Sequence, residues 1–140
     1  MSLYEKYVLP KFLNCACGSR PVERQRKKVV PLAEGKVLEI GIGSGLNIPF
    51  YDKSKIVEVW GLDPSDALSE MAKKVALNVS LQINFISSGA EEIPLPDNHF
   101  DTVLITYTMC TIPEVLRAND EIRRVLKSEG KMIFCEHGVA

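Results

Sequence analysis

A short apolar segment, residues 36–40, runs directly into three glycines at alternate positions, Gly41, Gly43 and Gly45. Such a run is typical of a buried strand. Glycine permits a tight turn and lets a ligand approach bare backbone, so we predict a ligand-binding turn between a strand and a helix. The alternative is a turn that only closes the strand onto the helix. The nicotinamide fingerprint G-x-G-x-x-G would require glycine where Leu46 stands, which disfavours a nicotinamide oxidoreductase.

Strand-like and helix-like segments alternate along the chain. Short apolar runs predict strands, and apolar residues every three or four positions predict helices. The predicted strands are Lys36–Ile40, Ile56–Leu62, Leu81–Ile86, Phe100–Tyr107 and Lys131–Cys135, the last preceded by a turn at Glu129-Gly130, and the predicted helices are Val22–Val30, a helix capped by Ser65 or Asp66 that ends near Ala76, and Pro113–Leu126. This alternation predicts one α/β domain with a doubly wound parallel sheet.

Two acidic residues stand at the ends of predicted strands, where sheets of this kind bind ligands. Glu39 precedes the glycines, and its carboxylate suits an ammonium group or hydroxyls better than a pyrophosphate, which it would repel. Asp63 follows the second strand, about 20 residues after the glycines, where a carboxylate accepts hydrogen bonds from ribose hydroxyls. The alternative for Asp63 is capping of the next helix.

Charge and hydropathy exclude several classes of protein. Lys and Arg total 17 and Asp and Glu total 18, a formal net charge of −1, which argues against a nucleic-acid binder. No apolar run reaches the ~18 residues of a membrane span, and Met1–Pro10 lacks the pattern of a secretory signal, so we expect a cytoplasmic location. A local basic patch predicts a solvated helix face, with weak contact to a membrane surface as the alternative; it comprises Arg20, Arg24, Arg26, Lys27 and Lys28.

The four cysteines are expected to remain thiols. Cys15 and Cys17 supply too few ligands for a metal ion, so we predict no metal site. Cys110 and Cys135 lie in or beside apolar strands and are expected in the core.

A third segment carries Gly89-Ala90-Glu91 and a proline-rich loop that leads to Phe100-Asp101. With the glycines and Asp63, it resembles the class I S-adenosylmethionine-dependent methyltransferases in order and spacing. The most similar subgroup is that around the ubiquinone and menaquinone C-methyltransferases. Within it, the small thiol S-methyltransferases are most similar, through Glu39–Asn47, Pro49-Phe50-Tyr51, Met109-Cys110 and Glu136-His137-Gly138.

The resemblance covers Pro31–Ala140, so residues 1–30 are interpreted as an entry segment and helix before the methyltransferase domain. It implies a Rossmann-like sheet with strand order 3-2-1-4-5. The family's strands six and seven would follow Ala140, so we expect a C-terminally truncated domain. Strand five would then be an exposed edge, which invites pairing with another chain. A homodimer through this edge is a prediction.

The resemblance also implies which residues bind S-adenosylmethionine. Glu39 would hold the ammonium region and Asp63 the ribose hydroxyls. The full set is Glu39, Gly41, Gly43, Gly45, Asp63, Pro64, Ser65, Ala90, Glu91, Thr106 and Tyr107. Many relatives carry Asp where Gly89 stands, so Glu91 or the backbone must supply the adenine contact.

The implied reaction is transfer of a methyl group to a small-molecule acceptor (a thiol, a lipid or a quinone-like compound), with S-adenosylhomocysteine as product. Such a displacement depends on orientation and a dry site. A thiol acceptor must also lose its proton, and His137 is the candidate base, with a structural histidine as the alternative.

Three other functions compete with this interpretation. A cofactor-binding fragment or partner module without turnover is favoured by the absence of the family's C-terminal region. A nicotinamide oxidoreductase is disfavoured by Leu46. A nucleic-acid methyltransferase is disfavoured by the net charge of −1 and by the lack of an Asn-Pro-Pro-Tyr motif.

Overall fold

A computed structural model describes residues 20–137. An α-helix follows each of the strands that end at Leu62 and Thr106, as predicted, but the helix predicted after the glycines was wrong, because only a short 3-10 helix, Ile48–Phe50, lies there. The helices are α1 (Arg20–Val29), α2 (Asp66–Asn78) and α3 (Val115–Val125), and the strands are β1 (Gly35–Ile40), β2 (Ile56–Leu62), β3 (Ile83–Ile86), β4 (Phe100–Thr106) and β5 (Leu126–Cys135). The predicted entry segment before Arg20, with Cys15 and Cys17, lies outside the described residues.

The five strands form one parallel sheet in the order β3-β2-β1-β4-β5, which confirms the predicted fold class. Ile40 at the end of β1 is paired with Leu62 of β2 and Ile105 of β4, and Leu62 is paired with Ile86 of β3. The carboxyl ends of four strands therefore lie side by side. β5 lies at one edge of the described sheet, where the predicted homodimer contact stays a prediction.

Apolar side chains cover both faces of the sheet, which is why its strands are apolar along their length. Leu38 and Val103 pack on one face in a cluster with Ile122 and other apolar residues of α3. Val37 and Leu104 point to the opposite face, where Val30 just after α1 joins them. The period of two along each strand sends neighbouring residues into separate cores.

Ser65, one of the two predicted caps, begins α2, because its hydroxyl accepts a hydrogen bond from the backbone N–H of Leu68 at 3.3 Å. Its buried side chains are small, Ser69, Ala72 and Ala76. Small side chains let the helix approach the backbone that follows β1.

The end of the described chain differs from prediction in one respect. The predicted turn at Glu129-Gly130 lies inside β5, between the pair Phe100–Leu126 and the pair Thr102–Lys131. A side chain at Gly130 would come within 3.0 Å of the Phe100 carbonyl oxygen, so the irregular stretch packs tightly against β4. Separately, none of the helices in residues 20–137 has the length and apolar character to cross a membrane.

Candidate functional site

A cavity of about 350 Å³ opens at the carboxyl ends of the parallel strands. It brings together most of the residues predicted from the sequence, namely Gly41, Gly43, Asp63, Pro64, Ala90, Glu91, Thr106, Tyr107 and His137. The other three predicted residues, Glu39, Gly45 and Ser65, lie outside its lining. The cavity thus spans the ends of β3, β2, β1 and β4 and reaches the end of β5.

The glycine turn, residues 41–45, uses its glycines in different ways. Gly43 has a positive φ of 55°, and a side chain added there would meet no atom closer than 3.8 Å. Its backbone therefore faces open space in the cavity. Gly45 has a φ of 86°, and a side chain there would lie 3.0 Å from the Ala72 Cα. Gly45 is needed to pack the turn against α2, whereas Gly43 leaves its backbone open to a ligand.

Asp63 connects β2 to the glycine turn. One carboxylate oxygen accepts from the backbone N–H of Ser65 at 2.8 Å, and the other accepts from the N–H of Gly43 at 3.0 Å. The residue is only 8% exposed, and burial raises the pKa of its carboxyl group. Since the Ser65 side chain caps α2, Asp63 is not the helix cap. Each Asp63 oxygen retains capacity to accept another hydrogen bond.

Glu39 lies beneath the glycine turn rather than in the cavity. It is 1% exposed and accepts hydrogen bonds from Asn47 Nδ2 at 2.5 Å and from the Tyr51 hydroxyl at 2.8 Å. Burial, opposed by these bonds, raises the pKa of Glu39 to about 7. Glu39 therefore supports the turn through Asn47, and any effect on a ligand is indirect.

Arg26 of α1 is the largest departure from the sequence prediction. The residue is 5% exposed and lines the cavity, so its assignment to a solvated basic face was wrong. Its Nη1 donates to Asn47 Oδ1 at 2.7 Å and to Thr106 Oγ1 at 2.8 Å, and its guanidinium lies 5.2 Å from the Tyr107 ring centroid. Thr106 is 80 positions away in the sequence, and no local pattern signals such a contact.

Another part of the cavity lining comes from the segment 108–113, here called the outer wall, of which all residues but Met109 line the cavity. Glu136, just after β5, accepts hydrogen bonds from the backbone N–H groups of Thr108 at 3.0 Å and Met109 at 3.1 Å. Cys110 lies on this wall and is exposed, so its predicted core position was wrong. The wall is thus attached to the sheet through the carboxylate of Glu136.

Tyr107 and His137 close the cavity at the ends of β4 and β5. Their ring centroids are 4.6 Å apart, and Cys135 Sγ lies 3.3 Å from the Tyr107 hydroxyl. Burial, with the Cys135 thiol, raises the pKa of Tyr107 to about 12, so this phenol stays protonated at neutral pH. His137 is exposed and within reach of solvent and of a molecule in the cavity. Within residues 20–137, no group of three or more His, Cys, Asp or Glu side chains could hold a metal ion.

Residues 38–134 match the methyltransferase domain family. The chain belongs to this family. With its sheet order, it is a member of the class I S-adenosylmethionine-dependent methyltransferases.

Individual relatives agree with this assignment. The chain is 32% identical over 105 residues to phosphatidylethanolamine N-methyltransferase from Cereibacter sphaeroides, covering 74% of this chain and 51% of that protein. It is 34% identical over 110 residues to human thiol S-methyltransferase TMT1B, covering 75% and 44%. The crystal structure of YcgJ from Bacillus subtilis is similar with a TM-score of 0.69 and 30% identity, covering 75% of this chain and 45% of that one. The methyltransferase chain therefore spans about half the length of the curated relatives it matches.

Proposed function

We propose that this methyltransferase domain binds S-adenosylmethionine in the cavity and transfers its methyl group to a small-molecule acceptor. The observation that carries the proposal is the buried carboxylate of Asp63, which is joined to the open backbone of Gly43 at 3.0 Å. This pair offers acceptors for ribose hydroxyls beside a bare stretch of backbone.

The other lining residues fit the rest of such a ligand. Ala90 and Glu91 follow β3 and would flank the adenine, as predicted from the resemblance. Thr106 and Tyr107 follow β4 on the far side of the glycine turn and would lie beside the amino-acid end. When bound, S-adenosylmethionine supplies a methyl group on a sulfonium, whose leaving group is a neutral thioether. The chain's own task is orientation and the exclusion of water.

A thiol is the acceptor class that the site supports best. His137 lies at the cavity on the side of the outer wall, where it could take the proton that a thiol must lose. The likeness to a protein named as a thiol S-methyltransferase supports the same choice. A lipid or quinone-like acceptor is the second candidate, since Ile112 and Pro113 add apolar surface to the outer wall and another relative is named for a lipid.

The binding part of the proposal is tested with two aspartate variants that lie three positions apart. Asp63→Asn should weaken binding of S-adenosylhomocysteine, the product, by roughly 10- to 100-fold in calorimetry, because it weakens bonds to a charged acceptor. Asp66→Asn, an exposed residue at the start of α2, should bind like the unmodified chain. Equal affinities for all three proteins would contradict the proposed site.

Turnover is tested separately, by methyl transfer from S-adenosylmethionine to dithiothreitol or to vesicles containing phosphatidylethanolamine. The proposal predicts methylation of the thiol, with loss of activity in His137→Ala but retained S-adenosylhomocysteine binding. Methylation of the lipid alone would shift the assignment to the second acceptor class. Tight binding with no transfer to either would favour a cofactor-binding partner module.

A further inference from the structure

The connection between β3 and β4 crosses one face of the sheet without a helix. Parallel strands are usually joined through a helix, but residues 87–99, all of which the structure describes, contain neither helix nor strand. This segment is here called the crossover. Its residues Ala90 and Ile93 are buried in the cluster that also holds Ile122 of α3. Backbone polar groups of a buried, irregular segment need partners from outside regular secondary structure.

Two side chains of α3 supply these partners. Arg124 donates through Nη2 to the Ile93 carbonyl at 2.7 Å and through Nη1 to the Leu95 carbonyl at 2.8 Å. Glu121 accepts a hydrogen bond from the backbone N–H of Ile93 at 2.7 Å. The two side chains also form an ion pair with each other, with N–O distances of 2.8 and 2.9 Å. Both backbone polar groups of Ile93 are thus held by one ion pair.

Arg124 holds the crossover at three points. Besides the two carbonyl groups, its Nη1 donates to a carboxylate oxygen of Asp97 at 2.7 Å. The planar guanidinium presents its donors in a fixed fork, so one side chain can bond three groups in defined directions. Neither Arg124 nor Glu121 is among the residues that line the cavity. Any effect of the ion pair on a ligand therefore passes through the crossover.

The crossover lines the cavity through residues 89–91, directly before the segment that the ion pair holds. The Ser88 hydroxyl donates to the Glu92 carbonyl at 2.9 Å, which closes residues 89–91 into a turn. A side chain at Gly89 would come within 2.6 Å of a Glu91 carboxylate oxygen, so this carboxylate occupies the space beside the bare backbone. The position of the carboxylate in the cavity therefore depends on how the backbone of the crossover is held.

We propose that Arg124 and Glu121 are positioning residues for recognition of the base: they hold the crossover so that the Glu91 carboxylate can accept a hydrogen bond from the amino group of adenine. This inference rests on the proposed function and deepens it, because it assigns the preference for adenine to an ion pair outside the cavity. A carboxylate accepts from an amino group but is repelled by a carbonyl oxygen in the same place. Displacement of Glu91 should therefore reduce the preference between bases.

The test compares two ligands that differ at one position of the base. S-adenosylhomocysteine and S-inosylhomocysteine, in which an oxygen replaces the amino group, are titrated by calorimetry into the unmodified chain, Arg124→Gln and Glu121→Ala. The unmodified chain should prefer S-adenosylhomocysteine by roughly 10- to 100-fold. Both variants should reduce this preference by at least about fivefold, mainly through weaker binding of S-adenosylhomocysteine. Arg123→Gln, an exposed neighbour on the same helix, should keep the full preference.

The outcomes separate this inference from the proposed function. An unchanged preference in the folded variants would overturn it, and so would an equal loss of affinity for both ligands, which would make the ion pair a structural support alone. An unmodified chain that binds both ligands equally would overturn it and leave the proposed function standing. If the unmodified chain binds neither ligand, the proposed function fails and this inference with it. Thermal melting identifies a variant that does not fold. If Arg124→Gln is such a variant, Glu121→Ala gives the decision, because alanine favours the helix and only the Ile93 N–H loses its partner in the crossover.

Discussion

The glycine turn and the outer wall face the same cavity, but they are held in place by different means. In the turn, the N–H of Gly41 donates to the Leu62 carbonyl at 2.8 Å, and Gly43 is bound to Asp63. Backbone N–H groups of the turn are thus bonded to Leu62 at the end of β2 and to the Asp63 carboxylate just after it, and these bonds fix the shape of the turn. The outer wall is joined to β5 through the carboxylate of Glu136, and to β4 through the Thr108 hydroxyl, which donates to the Thr106 carbonyl at 2.9 Å. We propose that the methyl donor binds at the turn and that the outer wall, a loop segment bonded mainly through side chains, sets the acceptor choice.

The largest expected effect comes from the two glycines that differ most in their surroundings. Gly43→Val should reduce S-adenosylhomocysteine affinity by at least ~100-fold, because the valine side chain fills the space where backbone meets ligand. The positive φ should cost only about 1–2 kcal/mol of stability. Calorimetry and urea unfolding measure the two quantities.

Gly45→Ala is the matched change that should act on stability instead. Its side chain would lie 2.7 Å from Ile48 Cδ1 and 3.0 Å from the Ala72 Cα, so we expect a loss of about 1–3 kcal/mol in the free energy of unfolding. The affinity of the folded fraction should fall far less than in Gly43→Val. Similar affinity losses in both variants would remove the distinction between the two glycines.

Because the Glu39 carboxyl group is buried beneath the glycine turn, we expect the stability of the folded chain to depend on pH. Burial raises the pKa of Glu39 from its usual 4.5 to about 7, so the folded chain keeps a proton that the unfolded chain releases. Stability should therefore fall as pH rises from about 4.5 to 7, by about 3 kcal/mol from this residue, and level off above pH 7. Urea unfolding between pH 5 and 8 should show this slope in the unmodified chain and its loss in Glu39→Gln. Parallel pH profiles would contradict the assigned cause.

The smallest expected effect concerns the outer wall. Glu136→Gln keeps one side-chain oxygen as an acceptor but removes the negative charge to which the N–H groups of Thr108 and Met109 are bonded. The substitution should weaken the attachment of the outer wall to β5 by ~1 kcal/mol. The KM for the acceptor should rise by a few-fold, while S-adenosylhomocysteine affinity stays unchanged. Glu129→Gln, an exposed residue on β5, is the control. A loss of donor affinity in Glu136→Gln would mean that the two regions are not independent.

Features that depend only on neighbouring residues could be predicted from the sequence. The bounds of β2, Ile56–Leu62, and the Ser65 cap follow from neighbouring residues, and the structure confirms both. The burial of Arg26 and the attachment made by Glu136 depend on partners 80 and 28 positions away. Since these contacts exist only after the sheet brings its strand ends together, periodicity and capping could not reveal them. Glu39 shows the same limit of local prediction. Its position before the glycines did not tell whether its side chain lines the cavity or lies beneath the glycine turn.

The most direct test is a titration of the ¹⁵N-labelled chain with S-adenosylhomocysteine, followed by NMR. A ligand along the carboxyl edge of the sheet should shift the backbone amide signals of Gly43, Asp63, Ala90 and Thr106 in one saturable process. The amide of Lys36, bonded to Asp101 at the opposite edge, should stay unchanged. An unperturbed spectrum of a folded chain, or shifts centred on Lys36, would contradict the site described for this methyltransferase.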